Sequence, residues 1–340
     1  MARVAAWVIG LIVVVGLSGR LIDVKPLAAE MKGDYATYVA MAFSLARDGD
    51  LRYDARDYQR FVSVFGHGPS GIFLKRRYHL GFGGKEPVPS SESLAYGKAL
   101  AYPVAAAPFV ALGGLGGLIA FNWAMLALCV VCGARFCSMV MKSRAGWIVS
   151  LVFIGASIVP VYAAWLTSEI FNFTLVFVAY FLWAYKKVAP PDDRSWLTRP
   201  NTTLAAALLI GIATFSKATN AALVAPFVLD VLWSGRLRRS IAVALVSLAA
   251  TAGLFGLNGA ITGDANYQGA PDRASRRTFV DHYPFDADGT TFDQQGSAMV
   301  TNDATPGACW PRTPSRRYRS TSGTSSSDGT PGWCRTTFLA

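Results

Sequence analysis

The run LIAFNWAMLALCVVCGARF, residues 118–136, sets the fold class. It is apolar almost throughout, its one charge (Arg135) comes near the end, and it approaches the ~20 residues a helix needs to cross a hydrocarbon layer. It reads as a membrane span. On its N-terminal side, Ala101–Leu112 is apolar but short and Pro-interrupted, and the glycine-rich stretch 113–117 breaks it. That pattern suits an interfacial or re-entrant helix leading into the span. On the C-terminal side, further spans are expected near Ala145–Trp165, Ile170–Tyr185 and Ile241–Ile261. Between the last two, Thr203–Trp233 is interrupted by Ser216, Lys217, Thr219 and Asn220 and reads as a hairpin of two short helices. Each arm is too short to cross alone, so the polar turn is expected at the membrane surface, facing a cavity. Val4–Leu17 is read as a retained first helix rather than a cleaved signal, because no small-residue cleavage site follows closely.

The expected fold class is therefore all-α, a polytopic transmembrane helical bundle with a long first external loop that carries amphipathic helices. Composition agrees: 52% of the 340 residues are hydrophobic and only 16% charged, against roughly 25% charged in soluble domains. Mean hydropathy is +0.33. The net charge of +11 would suggest nucleic acid in a soluble protein. Here the cations sit between apolar runs, where they set orientation and meet anionic headgroups, so no nucleic acid is expected.

Three short loops carry Arg135, Lys142 and Arg144; then Lys186, Lys187, Arg194 and Arg199; then Arg236, Arg238 and Arg239. All three are expected on the cytoplasmic side. The link Thr167-Ser168-Glu169 has no cation and belongs outside, with the Lys217 turn, the loop at about 20–100 and everything beyond Ile261. The N-terminus is then cytoplasmic and the protein a multi-pass one of a bacterial inner membrane. Three regions follow: a transmembrane domain over residues 1–262, an external segment 263–300 and a tail 301–340. The tail is rich in Ser, Thr, Arg and Pro and reads as disordered. A sharper reading is out-of-frame translation that replaces further spans.

Several motifs point to no chemistry. Gly66–Gly71 matches a dinucleotide fingerprint formally, but no alternating βα pattern surrounds it. Cys129 and Cys132 have CxxC spacing inside an apolar run and read as packing residues; Cys309 and Cys334 could pair if the tail is exported. The three histidines, His67, His79 and His282, lack ligand spacing. Lys75, Arg76 and Arg77 read as a solvated or headgroup-facing patch.

The candidate site residues each have two readings. Asp34 is either the N-cap of the amphipathic stretch Tyr35–Arg47, whose Tyr38, Met41, Ala42 and Leu45 share a face, or a carboxylate that takes a proton from an acceptor hydroxyl. Glu169 either sits favourably at a helix N-terminus or faces a polar cavity, where it binds a divalent metal or a sugar hydroxyl. Lys217 either snorkels to the interface or binds a phosphate at the mouth of a lipid cavity, with Asn220 adding a hydrogen bond.

The order of features resembles the polytopic glycosyltransferases of the GT-C class. The matching pieces are Gly33-Asp34-Tyr35, Tyr38-Val39-Ala40-Met41-Ala42, Leu45 to Asp50, Tyr96-Gly97-Lys98 to Tyr102-Pro103, Ala107-Pro108-Phe109, Thr167-Ser168-Glu169-Ile170-Phe171 and Phe215-Ser216-Lys217-Ala218-Thr219-Asn220. Each is short; the specificity lies in their order. The resemblance implies a polyprenyl-phosphate-linked sugar as donor, an envelope glycan, lipid or protein as acceptor, and chemistry on the external face. It implies Asp34 as catalytic base, with Tyr35, Lys98, Lys217 and Asn220 binding substrate, and no certain cofactor beyond a divalent metal held by Glu169. The class usually has more membrane helices than this chain, and many members continue into a globular C-terminal domain. A transporter or flippase for a lipid-linked sugar is the competing expectation, and a non-catalytic remnant is a third.

Overall fold

A computed structural model describes residues 31, 33–69, 72–81, 84–87, 94–268 and 276–279. The expected first helix Val4–Leu17, the tail 301–340, His282, Cys309 and Cys334 lie outside the described residues. Those that are described belong to one compact unit, Met1–Cys309.

The chain enters through α1 (Asp34–Arg47), where nine consecutive residues, Ala36 to Ser44, are buried. The amphipathic face expected around Tyr38, Met41 and Ala42 is present, but neighbouring elements cover the other side as well. Helix α2 (Ala55–Phe65) begins with a reciprocal capping box between Asp54 and Asp57 and ends at Gly66, whose φ of 83° is costly for a residue with a Cβ. A helix, not a strand, precedes the glycine motif, so the dinucleotide geometry is not met.

The loop that follows is partly β, which corrects the all-α expectation. Strands β1 (Ile72–Arg76), β2 (Tyr78–Gly81), β3 (Gly84–Pro87) and β4 (Leu94–Tyr96) precede the bundle, and β5 (Arg276–Phe279) returns after it. The strand order is β4-β1-β5 in one sheet, with β2 paired to β3 in another. All pairs are antiparallel, with Leu74 opposite Tyr96 and Phe73 opposite Thr278. Residues 276–279, within the expected external segment, are thus paired with the first loop. Lys75 corrects a second expectation: it is fully buried, and its Nζ donates to the carbonyls of Asp264 (3.2 Å) and Asn266 (3.0 Å). An ammonium can be buried when its donors are satisfied, so this residue is no solvated patch.

The helical element α3 (Ala101–Met141) is broken at Gly114, with φ 57° and ψ −135°. Its two arms fold against each other. Tyr102 Oη donates to Asn122 Oδ1 at 3.0 Å, and the Phe109 and Phe121 rings are 5.3 Å apart. On a continuous helix residues 102 and 122 would be ~30 Å apart. A Cβ on Gly117 would lie 1.8 Å from the Phe109 carbonyl oxygen, so only glycine permits the approach. The break expected at the glycine-rich stretch before the first long apolar helix is present.

The stretch expected as a single span at Ala145–Trp165 is two pieces, α4 (Gly146–Gly155) and α5 (Val159–Ala164). Pro160 stands in the first turn of α5, where its missing N–H costs nothing, but it could not continue α4. Then come α6 (Glu169–Val188), α7 (Thr202–Ser216), a 3-10 turn Ala218–Val224, α8 (Ala225–Trp233) and α9 (Leu237–Thr262). The interrupted hairpin is present. Lys217 leaves α7 in extended backbone (φ −141°), and Asn220 Nδ2 closes the turn onto the Ala213 carbonyl at 3.0 Å.

Cross-contacts fix which loops share an end. Lys217 meets Glu169 at one end of α6, while Lys187 reaches Asp230 (2.6 Å) and Arg135 reaches Tyr185 (3.1 Å) at the other. The three basic loops therefore gather at one end of the bundle, and α1, the sheet and the Lys217 turn at the opposite end. The protein is mostly helical, and two helices, α3 and α9, are long and apolar enough to cross a membrane.

Candidate functional site

Two ion pairs face the end of the bundle away from the basic loops. The first joins Lys98 Nζ to Asp34 Oδ1 at 2.6 Å, with the carboxylate half exposed and the lysine mostly covered. Gly33 occupies the N-cap position of α1 and no side chain caps the helix there. Asp34 is instead its first residue, with its carboxylate turned to Lys98, so the capping reading is replaced by an ion pair.

Backbone geometry around Phe73 builds this pair. Thr37 Oγ1 donates to the Gly33 carbonyl (2.7 Å) and accepts the Phe73 N–H (2.9 Å), tying β1 to the start of α1. On the other side Gly97 N donates to the Phe73 carbonyl at 2.8 Å. Phe73 is thereby fixed under Lys98, whose Nζ lies 4.3 Å from the ring centroid. A ring face attracts a cation and leaves its N–H donors free to turn. A cavity of about 90 Å³ opens here, lined by Phe73, Leu74, Gly97, Lys98 and Gln268. Phe73 and Gln268 belong to no motif, and nothing in the sequence pointed to them.

The second pair joins Lys217 Nζ to Glu169 Oε1 at 3.1 Å. Burial works against the charge on Glu169, but the Thr167 hydroxyl and the Lys217 ammonium outweigh it and hold the carboxyl below its ordinary range. Glu169 is also the first residue of α6, where negative charge meets the positive end of the helix dipole. The cation it meets is Lys217; among the described residues no group of three His, Cys, Asp or Glu side chains could hold a metal ion. Asn220, expected to add a hydrogen bond to a phosphate, uses its amide N–H on Ala213.

Between the pairs stands a buried tyrosine cluster. Tyr38 accepts from Ser168 Oγ at 3.1 Å and meets the Tyr102 ring edge-on at 5.4 Å. Burial raises the Tyr38 hydroxyl well above its ordinary range, and the negative charges of both Asp34 and Glu169 push the same way. The two carboxylates therefore act on one hydroxyl. Asn122 receives Tyr102 and donates to the Trp165 carbonyl at 2.8 Å; the Trp165 ring lies 6.2 Å from Tyr35. Asn172 Oδ1 and Ser216 Oγ are buried here without a hydrogen-bond partner.

Of the residues expected at the site, Lys98 pairs with Asp34 and Lys217 with Glu169, Tyr35 lies beside Trp165, and Asn220 closes the turn. No family model matches the chain, and no curated protein or solved structure matches it either.

Proposed function

We propose that the chain is a membrane glycosyltransferase of the GT-C kind, moving a sugar from a polyprenyl-phosphate donor to an envelope glycan, lipid or protein acceptor. The membrane reading is supported by the outward faces of the apolar helices. On α9, Leu245 is 56% and Leu248 64% exposed, and on α4 Phe153 is 71% exposed. Exposed apolar helix faces of this kind mark an interaction site or contact with lipid. Gathering the three short basic loops at the end opposite the candidate site also suits a bilayer with that site on the external face.

The observation that carries the enzymatic reading is the half-exposed Asp34 carboxylate held 2.6 Å from Lys98 beside a cavity. In the resting state each charge neutralises the other. A donor phosphate entering beside Lys98 competes for the ammonium and releases Asp34. The freed carboxylate then takes the proton of the acceptor hydroxyl, whose oxygen attacks the anomeric carbon. The bond from that carbon to the phosphate oxygen breaks, and the phosphate leaves with the electron pair. Its charge grows as the bond breaks, so Lys98 stabilises the transition state more than the ground state. Tyr35 forms the wall against Trp165. Glu169, balanced by Lys217, places a second carboxylate within reach of sugar hydroxyls; a divalent metal would first have to displace that lysine.

The test is transfer from a radiolabelled polyprenyl-phosphate sugar by the Asp34→Asn protein in membranes. Loss of a general base typically costs about 10²–10⁴-fold, while insertion and donor binding should persist. Full transfer by this variant removes Asp34 from the mechanism. A lipid-linked sugar transporter needs no base, so unchanged sugar translocation in Asp34→Asn would favour that reading.

A further inference from the structure

On the far side of the bundle from Glu169, an apolar cavity of about 380 Å³ lies between the C-terminal arm of α3, α4 and α6. Cys137, Val149, Phe153, Phe177, Phe181 and Ala184 are among its lining residues. Phe177 is already eight residues into α6 from Glu169, ~12 Å along the axis, so this is not the candidate site. The two hydroxyls among the lining residues are both taken: Ser150 donates to the Val130 carbonyl at 2.9 Å and Tyr180 to the Leu223 carbonyl at 3.2 Å. An apolar cavity of ~150 Å³ already takes benzene in preference to water, so this larger one calls for an apolar occupant.

The entrance says what kind. Phe153 lines the cavity yet is 71% exposed, and Val149 is 41% exposed, so the opening is lateral, through the outward face of α4. Gly146 holds α4 tightly against α3, since a Cβ there would lie 2.2 Å from Ser138 N. Just beyond that contact, the loop joining the helices exposes Lys142 and Arg144. Each stands five residues along the chain from a lining residue, Cys137 or Val149. Neither has an ion-pair partner among the described residues.

We propose that this cavity holds one acyl chain of an anionic phospholipid, with the headgroup phosphate on Lys142 and Arg144. The inference rests on the membrane reading above but not on the glycosyltransfer. A methylene chain fits the apolar wall and lateral opening, and two unpaired cations at the rim favour a net negative headgroup over a zwitterionic one.

The full chain, purified in detergent, is mixed with phosphatidylglycerol or phosphatidylcholine, and the lipid retained is read by native mass spectrometry. Wild type should retain phosphatidylglycerol about 10-fold better. K142E/R144E should lose that preference and keep the weaker phosphatidylcholine binding. Ala184→Trp, which places an indole in the cavity, should lose both; Val149→Trp, at a more exposed position, replaces it if the first variant does not fold. Equal retention of the two lipids by wild type, or unchanged retention in the tryptophan variant that folds, overturns the proposal. Resistance to alkaline carbonate extraction is measured in parallel. A chain that extracts sinks the membrane reading, whereas an inserted chain without lipid preference sinks only this site.

Discussion

Asp57 is 5% exposed, accepts the Asp54 N–H at 3.2 Å and Arg60 Nη1 at 2.9 Å, and has Asp48 nearby on the same arginine. Burial pushes its carboxyl up to about 7; the Asp54 N–H and Arg60 pull it down, and the charges of Asp54 and Asp48 push it up further. Because the folded-state value lies above the unfolded one, its contribution to stability is full below about pH 4 and lost as pH rises through 7. Asp54 has the opposite sign, but its folded value is depressed, so its contribution changes only in acid. Hydrogen exchange across Ala55–Phe65 should therefore quicken from pH 5 to 8 beyond the intrinsic base-catalysed trend, and Asp57→Asn should remove that excess. An excess that persists in the variant assigns the effect to another group. A second residue-scale prediction concerns Asn122, buried between Tyr102 and the Trp165 carbonyl. Asn122→Ala strands both partners and should cost about 1–3 kcal/mol, read as a lower unfolding midpoint in detergent. Asp34 and Glu169 stand out in the sequence because a carboxylate beside apolar runs is rare. Their partners do not: nothing local to Lys98 or Lys217 says which distant acid each will meet.

The hairpin within α3 turns on contacts that hydropathy does not register. Gly114 provides a backbone conformation open to glycine, and Gly117 lets the Phe109 carbonyl approach where a Cβ would lie at 1.8 Å. The cluster Gly113–Gly117 announced a break, but which of its glycines makes the turn and which the contact depends on packing. Gly117→Ala should force the arms apart, separating Tyr102 from Asn122 and loosening the wall behind Tyr38. The expected outcome is a loss of stability larger than that of Asn122→Ala, read as a lower unfolding midpoint in detergent. By contrast Gly113→Ala, where nothing lies within 4 Å of the added methyl, should stay close to wild type. Equal effects at the two positions would mean that the close approach is not what holds the hairpin. The β strands escape the sequence for a related reason. Ile72–Arg76 is short, and one partner, Arg276–Phe279, comes only after the whole bundle, so no local alternation reveals it.

At the scale of the whole molecule, hydropathy and charge together carried the ordering of the bundle. Lys142, Lys186, Lys187 and Arg236 are scattered along the chain, yet helix directions bring their loops to one end and Asp34, Lys98, Glu169 and Lys217 to the other. That ordering depends on an odd number of crossings between neighbouring basic and acidic loops, and it survives the division of 145–165 into α4 and α5. Pairing of β1 with β5, and of Lys75 with the carbonyls of Asp264 and Asn266, adds a constraint that charge counting lacks: the segment beyond α9 must lie on the same side as the first loop. Single cysteines in a cysteine-free background test this with a membrane-impermeant maleimide applied to intact cells. Ser143→Cys and Gly235→Cys should label only after the cells are opened, while Gly49→Cys and Gln268→Cys should label from outside. Labelling of Gln268→Cys and Gly49→Cys from opposite sides would break the β1–β5 pairing, because a hydrogen-bonded sheet cannot have its two strands across a bilayer. Labelling of both from the inside would leave the sheet intact and turn the whole molecule over, putting the Asp34–Lys98 pair in the cytoplasm and removing the case for envelope acceptors.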